Sequence, residues 1–425
     1  MCIRDSLAHR TLADLEATGM RLRLDTLVHR IDPDAHTLTL ATRDGEETLS
    51  YDTLIVGTGA LPIQPPIDGL HGPDALGPAD GVHLLHSMGD TFALMQTLEA
   101  HEIERAVIVG AGYIGLEMAE ALTARGLDVT QLEQLPGVLP TVDPELGALV
   151  HAELERHGVE VAANTRVQAI AKAPAEARSR VDVHATGADG RPLTVPADVV
   201  LVVVGVRPDS GLAAAAGAEV GIKNAIVVDR QMHTNLPDVF AAGDCVVTHH
   251  QLLGQTYVPL GTTAHKQGRV AGENALGGTR EFAGTLGTQV VKVFDLVAAR
   301  TGLRDHEAAE AGFDPVSVTS HADDHKAYYP GSHSITMRYT GDRNSGRLLG
   351  VQLVGHLRSE IAKRIDMPAT AIHNQMTVDA LSDLDLSYTP PLGSPWEALQ
   401  AGAQAWVRHT LTTQPARASD VSLRR

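Results

Sequence analysis

The sequence predicts an α/β protein, and three observations predict it. Glycine is abundant at 40 residues and aromatics make up only 3%, which suits many tight strand-to-helix turns around a core of Ala, Val and Leu. From about residue 105 the chain alternates strand, helix, strand, helix: "RAVIVG", "YIGLEMAEALTARG", "DVTQLE", "PELGALVHAELERHG". That alternation implies parallel strands joined by crossover helices. β-rich runs return from 166 and end in "VVLVVVGVRP", whose lack of alternation suits a strand buried on both faces.

Composition bounds the rest. A chain of 425 residues exceeds what one core usually organises, so two or three domains are expected. The formal charge of -18, with no stripe of Lys and Arg, argues against a nucleic-acid partner. No apolar run approaches the roughly 20 residues of a membrane span, so a cytoplasmic protein with no membrane partner is expected. Cys2 and Cys245 stand at unrelated positions, which excludes a disulfide framework and a CxxC pair.

Taken in order, residues 22–57 alternate short β-rich runs with polar turns: "RLRLDTLVHRID", "HTLTLATRDGEE" and "LSYDTLIVGTG", with a hairpin signal at Asp44-Gly45. A further unit begins near 288, after "GGTREFAGTLGT", and mixes strands ("VVKVFDL", "SITMRYT", "RLLGVQLVG") with helices near 358–373 and 395–411. The tail from about 412 is rich in Thr, Gln, Ser and Arg, and fraying is expected there.

The densest chemistry lies in "AVIVGAGYIGLEMAEALTARGLDVTQLE", residues 106–133. Gly110, Gly112 and Gly115 form G-x-G-x-x-G after a strand and at the start of a helix that opens with Tyr113 and Ile114. Glu133 ends the next strand, 18 residues beyond Gly115. The glycines supply a tight turn, backbone approach to a pyrophosphate and close helix packing, while the helix N-terminus faces the phosphates. A bare glycine pattern is an ordinary tight turn; here strand, helix, second strand and acid all fall at the offsets of a Rossmann unit. A carboxylate at 133 suits ribose hydroxyls and repels a 2′-phosphate, and Gln134 and Leu135 supply no cation, so NADH is expected over NADPH.

Four further segments stand in fixed order around that unit: "YDTLIVGTGALP", "VGVRPDSGL", "TNLPDVFAAGDC" and "VPLGTTAHKQGRVAGEN". With it they resemble the two-dinucleotide flavoproteins of the pyridine nucleotide-disulfide oxidoreductase family, in the branch of CoA-disulfide reductase and NADH oxidase. "AYYPGSHSITMRY", "AKRIDMPATAIHNQMTVDALSDLDLSYTPP" and "SPWEAL" are similar to that family's dimerisation domain. The resemblance covers about residues 20–410. It implies the cofactors FAD and NAD, a homodimer, and five segments: 1–88 and 209–287 as FAD-binding parts, 89–208 for NAD, 288–411 for dimerisation and 412–425 as a flexible tail.

The resemblance also implies site residues. Asp244, after Gly243, matches the acid that binds the FAD ribityl chain; without the other motifs it reads as a strand-end acid capping the next turn. Thr58 and Gly59 match the crossover from the FAD half to the NAD half, and Gly205 a position near the nicotinamide. Glu117 resembles an acid lying toward flavin and nicotinamide, or is a solvated first-turn Glu beside the helix dipole. Tyr329 and Tyr388 match tyrosines that reach the partner subunit's flavin side, where a phenol can donate a proton; the bland alternative is an interface anchor. His265 resembles a substrate-side histidine, or makes a helix-start backbone hydrogen bond.

Departures matter as much. The family opens with its own βαβ unit and a redox cysteine, and neither has a counterpart before "YDTLIVGTG", so an N-terminal truncation and weak or absent FAD binding are expected. Cys2 and Cys245 lack the setting of a reactive thiol, and Cys245 is expected to pack. Trp396 stands where CoA-specific relatives carry a lysine, which shifts the expectation toward oxygen or another acceptor. No metal is expected: the His249-His250 pair lacks ligand spacing. The resulting expectation is an NADH-dependent flavoprotein enzyme passing electrons to a small disulfide or to oxygen. The alternative is a non-catalytic, NAD-binding dimeric scaffold.

Overall fold

The computed structural model describes residues 10–413; Cys2 and the segment beyond 413 lie outside them. The chain forms two compact units. The first gathers the chain up to Gly59 with Pro208–Val247 and Gly261–Phe282, and the second holds Ala60–Arg207, Thr248–Leu260 and the chain from Ala283.

In the first unit, strands Leu27–Asp32, Thr37–Thr42 and Gly45–Ser50 make an antiparallel meander. The hairpin expected at Asp44-Gly45 forms one residue earlier: Thr42 pairs with Gly45, so Arg43 and Asp44 are the turn. Strand Val239–Ala241 lies parallel to Leu54–Val56, with Val239 opposite Leu54 and Ala241 opposite Val56. Both are short and largely apolar, and they share a core with Ile31, Leu40, Ile226 and Cys245.

The second unit is built on a five-stranded parallel sheet. Its order is Val82–Leu84, Val199–Val202, Arg105–Val109, Asp128–Leu132, Glu160–Ala162. Every residue of Val199–Val202 is buried, as the unbroken apolar run predicts. Successive side chains point to opposite faces. Ala106 and Ile108 therefore meet helices Tyr113–Ala124 and Pro144–Arg156, through Leu116, Leu122, Leu146 and Leu154. Val107 and Val109 meet the antiparallel strands Arg166–Lys172 and Val181–Thr186. The segment 60–88, assigned from sequence to the first FAD-binding part, packs in this unit instead, because Val82–Leu84 is the edge strand of its sheet.

The same unit carries an antiparallel sheet in the order Gln289–Val293, Leu296–Gly302, Leu348–His356, Ser334–Asp342, Pro315–Asp323. Helices Asp366–His373 and Ala398–Thr413 cover it, and the buried Tyr339 hydroxyl donates to the Leu399 carbonyl at 2.8 Å. "VVKVFDL", read as one strand, breaks at Phe294 and Asp295, which turn the chain into the next strand. Phe294 takes φ +53°, unusual for a bulky residue. Acceptors from the neighbouring helices hold the turn: Glu120 takes the Phe294 N–H at 2.8 Å and Glu153 the Asp295 N–H at 3.1 Å. His157 stacks on the Phe294 ring at 3.9 Å. Strands Leu296–Gly302 and Pro315–Asp323 escaped the sequence reading. Among the described residues, no helix is long and apolar enough to cross a membrane.

His250, flagged only as half of a histidine pair, is a buried turn acceptor: its Nδ1 takes the N–H groups of Leu252 at 3.1 Å and Leu253 at 3.3 Å. Burial pulls its pKa down to about 4, outweighing the hydrogen bond with the Leu286 backbone. The folded state thus binds fewer protons than the unfolded chain between about pH 6.5 and 4. Stability from this group is present above pH 6.5 and is lost as pH falls toward 4, by at most roughly 3 kcal/mol. Thermal unfolding from pH 7.5 to 4.5 is expected to show a shallower decline in His250→Asn, whose side-chain oxygen accepts the turn N–H without taking a proton.

Candidate functional site

The sheet order decides where the fingerprint loop lies. Strands Arg105–Val109, Asp128–Leu132 and Val199–Val202 end side by side, and the loop leaves the first of them among the carboxyl ends of the other two. Gly110 has φ +108°, and a Cβ there would sit 2.7 Å from the Val203 carbonyl oxygen. At Gly115 a Cβ would collide with the Gly110 carbonyl, so the third glycine permits the helix to approach the strand. Gly112 differs: it caps helix Tyr113–Ala124 without a side-chain cap, and a Cβ there meets nothing within 4 Å. The first-turn N–H groups, including those of Tyr113 and Ile114, thus have no side-chain cap at the positive end of a 12-residue helix.

Glu133 is buried, and both carboxylate oxygens accept backbone N–H groups, from Ala111 at 2.7 Å and Leu135 at 2.8 Å. The acid therefore holds the fingerprint loop. An ionised carboxylate has about four acceptor positions, so lone pairs remain for ribose hydroxyls. Glycine without a Cβ at the helix start, uncapped donors and an oriented acid together fit the pyrophosphate and ribose of a dinucleotide. Sequence reasoning missed Gln131. It is fully buried beneath the loop and donates from Nε2 to the Gly110 carbonyl at 3.0 Å, and its only signal was an amide among the polar residues of a short strand.

The remaining residues on this side play mixed parts. The Tyr113 hydroxyl accepts from Thr141 Oγ1 at 3.3 Å, and burial pushes its phenol pKa up. Glu117 is exposed on the fingerprint helix, yet partial desolvation, with Glu120 adding like charge, raises its carboxyl pKa. Glu120 itself pairs with Lys292. Gly205, at φ +108°, gives its carbonyl to the Ile63 N–H at 2.9 Å.

In the first unit a second group collects where strands Leu54–Val56 and Val239–Ala241 end together. Thr58 donates its hydroxyl to the Asp209 carbonyl, and Gly59, at φ +73°, would place a Cβ in open space. Gly243, at φ +90°, donates its N–H to Gln267 Oε1 of helix Gly261–Asn274 at 3.1 Å. Asp244 follows it, half-buried beyond the strand end, and His265 is exposed on the same helix as Gln267. Two backbone positions without Cβ beside a carboxylate fit the hydroxylated chain of a flavin. Cys245 is fully buried, its sulfur 3.3 Å from the Ala242 carbonyl, and burial raises its thiol pKa, as a packing role predicts.

Tyr329 and Tyr388 lie on loops of the second unit, away from the fingerprint loop in sequence and on the side of the antiparallel sheet. Both rings are exposed, at 38% and 45%. Tyr328 is more exposed, and its ring centroid is 5.2 Å from that of Tyr329. The Lys326 N–H donates to the Pro390 carbonyl at 3.3 Å, which ties the two tyrosine-bearing loops together. Trp396 is also exposed.

Comparison with known proteins marks two regions of the chain. The description "Pyridine nucleotide-disulphide oxidoreductase" fits residues 4–268, and its "dimerisation domain" fits residues 288–399. An NADH oxidase of Methanocaldococcus jannaschii is 34% identical over 89% of this chain and 81% of its own. An NAD(P)H coenzyme A polysulfide/persulfide reductase of Pyrococcus horikoshii is 33% identical over 91% and 82%. Among solved structures, an NAD-dependent persulfide reductase from A. fulgidus is similar with a TM-score of 0.87 at 36% identity, over 95% of this chain and 72% of that one. A water-forming NADH oxidase from Lactobacillus brevis also reaches a TM-score of 0.87, at 26% identity over 96% and 87%.

Glu133→Ala is expected to orphan the Ala111 N–H and cost about 1–3 kcal/mol of stability. Glu133→Gln keeps one acceptor and is expected to cost less. Both variants are expected to narrow the preference for NADH over NADPH. Thermal unfolding and nucleotide titrations of the three proteins check this.

Proposed function

The chain belongs to the pyridine nucleotide-disulphide oxidoreductase family, an FAD-dependent family of NAD(P)H oxidoreductases, and we propose that it oxidises NADH and passes the electrons to oxygen in preference to a disulfide. The observation that carries the donor half is Glu133, a carboxylate fixed by two N–H groups at the strand end beside an uncapped helix start. Gly112 and the first-turn N–H groups of Tyr113 and Ile114 receive the pyrophosphate, and the Glu133 carboxylate receives ribose hydroxyls while repelling a 2′-phosphate. Gly205 and Glu117 border the nicotinamide end.

Thr58, Gly59, Gly243 and Asp244 hold the ribityl side of FAD, with Asp244 accepting from its hydroxyls. When bound, FAD supplies the two-electron relay between the nicotinamide and the acceptor. Cys245 does not furnish the thiolate through which disulfide reduction runs, because it is buried with a raised pKa. Trp396 in place of a lysine favours oxygen. A disulfide or persulfide acceptor is the second reading, supported by the likeness to the A. fulgidus persulfide reductase. The chain assembles as a homodimer, and Tyr329, Tyr388 and His265 serve the acceptor side, where a phenol or imidazole supplies a proton.

The test is the purified protein supplied with FAD, given NADH or NADPH, in air and then anaerobically with a small disulfide. Oxygen uptake matching NADH loss, slower with NADPH, is the expected result. NADH loss confined to the anaerobic disulfide assay would move the assignment to the second reading. A protein that binds NADH and oxidises it with neither acceptor would be the scaffold alternative.

A further inference from the structure

One buried cation in the C-terminal part of the chain touches none of the residues assigned so far, yet it grips both tyrosine-bearing loops at their roots. Arg364 is only 8% exposed. Its Nε donates to Glu397 Oε1 at 2.6 Å, its Nη2 to the Asp324 carbonyl at 2.8 Å, and its Nη1 to the Ser359 carbonyl. Asp324 opens the loop that carries Tyr328 and Tyr329; Glu397 closes the irregular segment that carries Tyr388.

Each contact is braced in turn. The Asp324 carboxylate accepts the Ser359 hydroxyl at 2.6 Å and the His333 N–H at 3.1 Å, and lies 2.7 Å from His325 Nδ1. The Asp324 N–H donates to the His333 carbonyl at 2.9 Å, which closes the loop at its base. The second oxygen of Glu397 takes the Leu399 N–H at 2.6 Å, fixing the start of helix Ala398–Thr413. The loops also meet through Lys326 and Pro390.

A buried ion pair is weak evidence for stability, since apolar residues of like volume often serve as well. What an apolar replacement does not reproduce is direction: a planar guanidinium presents its donors in a rigid fork and fixes several acceptors relative to one another. Here the acceptors are the roots of two irregular segments whose exposed aromatic tips must be placed to within a fraction of their own size.

We propose that Arg364 is a positioning residue that locks the Tyr329 loop to the Tyr388 segment, so that the two phenols are presented to the acceptor site as one rigid pair. The proposal rests on the reading of Tyr329 and Tyr388 as acceptor-side groups. Glu397 and Asp324 complete the lock, the first as the counter-charge and the second as the carbonyl and carboxylate that close the loop.

The test compares the FAD-supplied enzyme with Arg364→Lys, Glu397→Gln and the Tyr329→Phe/Tyr388→Phe double variant. Arg364→Lys keeps the charge and loses the fork; Glu397→Gln is the second route should the lysine variant fail to fold. Turnover, the anaerobic rate of flavin reduction by NADH, and hydrogen exchange across 324–333 and 385–397 are measured. The expected result is about a tenfold loss of kcat with the NADH half-reaction and KM for NADH unchanged, and faster exchange in both loops together. In the tyrosine double variant, Arg364→Lys is expected to cause no further loss of kcat. An independent, additive loss there, or exchange that rises in only one loop, would mean a general structural role and overturn the proposal. If the tyrosine variant keeps full turnover, the acceptor-side reading falls, and the lock stands or falls on exchange alone.

Discussion

The parallel pairing of Arg105–Val109 between two other buried strands is the constraint from which the site follows. Parallel strands carry their loops at one edge, so a chain that threads three of them side by side must gather the connections at their carboxyl ends. At that edge the backbone of the fingerprint loop runs out of neighbours on one side. The Gly110 N–H is satisfied by the Leu132 carbonyl, the Gly110 carbonyl by Gln131, and the Ala111 N–H by Glu133. The helix that follows is left with donors directed outward. The loop is therefore held by a few buried polar groups, and Glu133 is one of them.

The antiparallel sheet is coupled to that edge through charge. Arg338 bridges Asp143 at 2.6 Å and Asp305 at 3.0 Å, and Gln352 exchanges two hydrogen bonds with Asp143 just before helix Pro144–Arg156. Arg300 and Arg304 converge on Glu307, whose carboxyl burial would raise; their hydrogen bonds and charges outweigh that and hold it at about 2. Val293, Ala298 and Val354 of the same sheet join the apolar core beneath the fingerprint helix. Polar clamps around a shared apolar floor make the nucleotide-binding sheet and the antiparallel sheet one body, with a rigid base from which the tyrosine loops project.

Sequence and structure agree most closely where local pattern and tertiary context ask for the same thing. The two crossover helices, the fully buried run at 199–202 and the glycine spacing all belong to that class, because each encodes its own period or steric demand. Where the reading slipped, the reason is equally physical. "VVKVFDL" has no Gly or Pro to mark a turn, and acceptors at Glu120 and Glu153, remote in sequence, hold the left-handed turn at Phe294. Segment 60–88 has little pattern of its own, and its allegiance is decided by a three-residue edge strand.

By itself the sequence determined the class of fold, the glycine-rich turn between strand and helix, and the order of the flanking motifs, since those depend on residue type at fixed offsets along the chain. It could not determine the partners of buried polar groups. That Glu133 braces the loop it serves, that Gln131 sits under it, and that Arg364 joins two distant loops depend on segments tens to hundreds of residues apart meeting in space. Hydrogen bonds are satisfied by proximity in three dimensions, and only the tertiary structure supplies that.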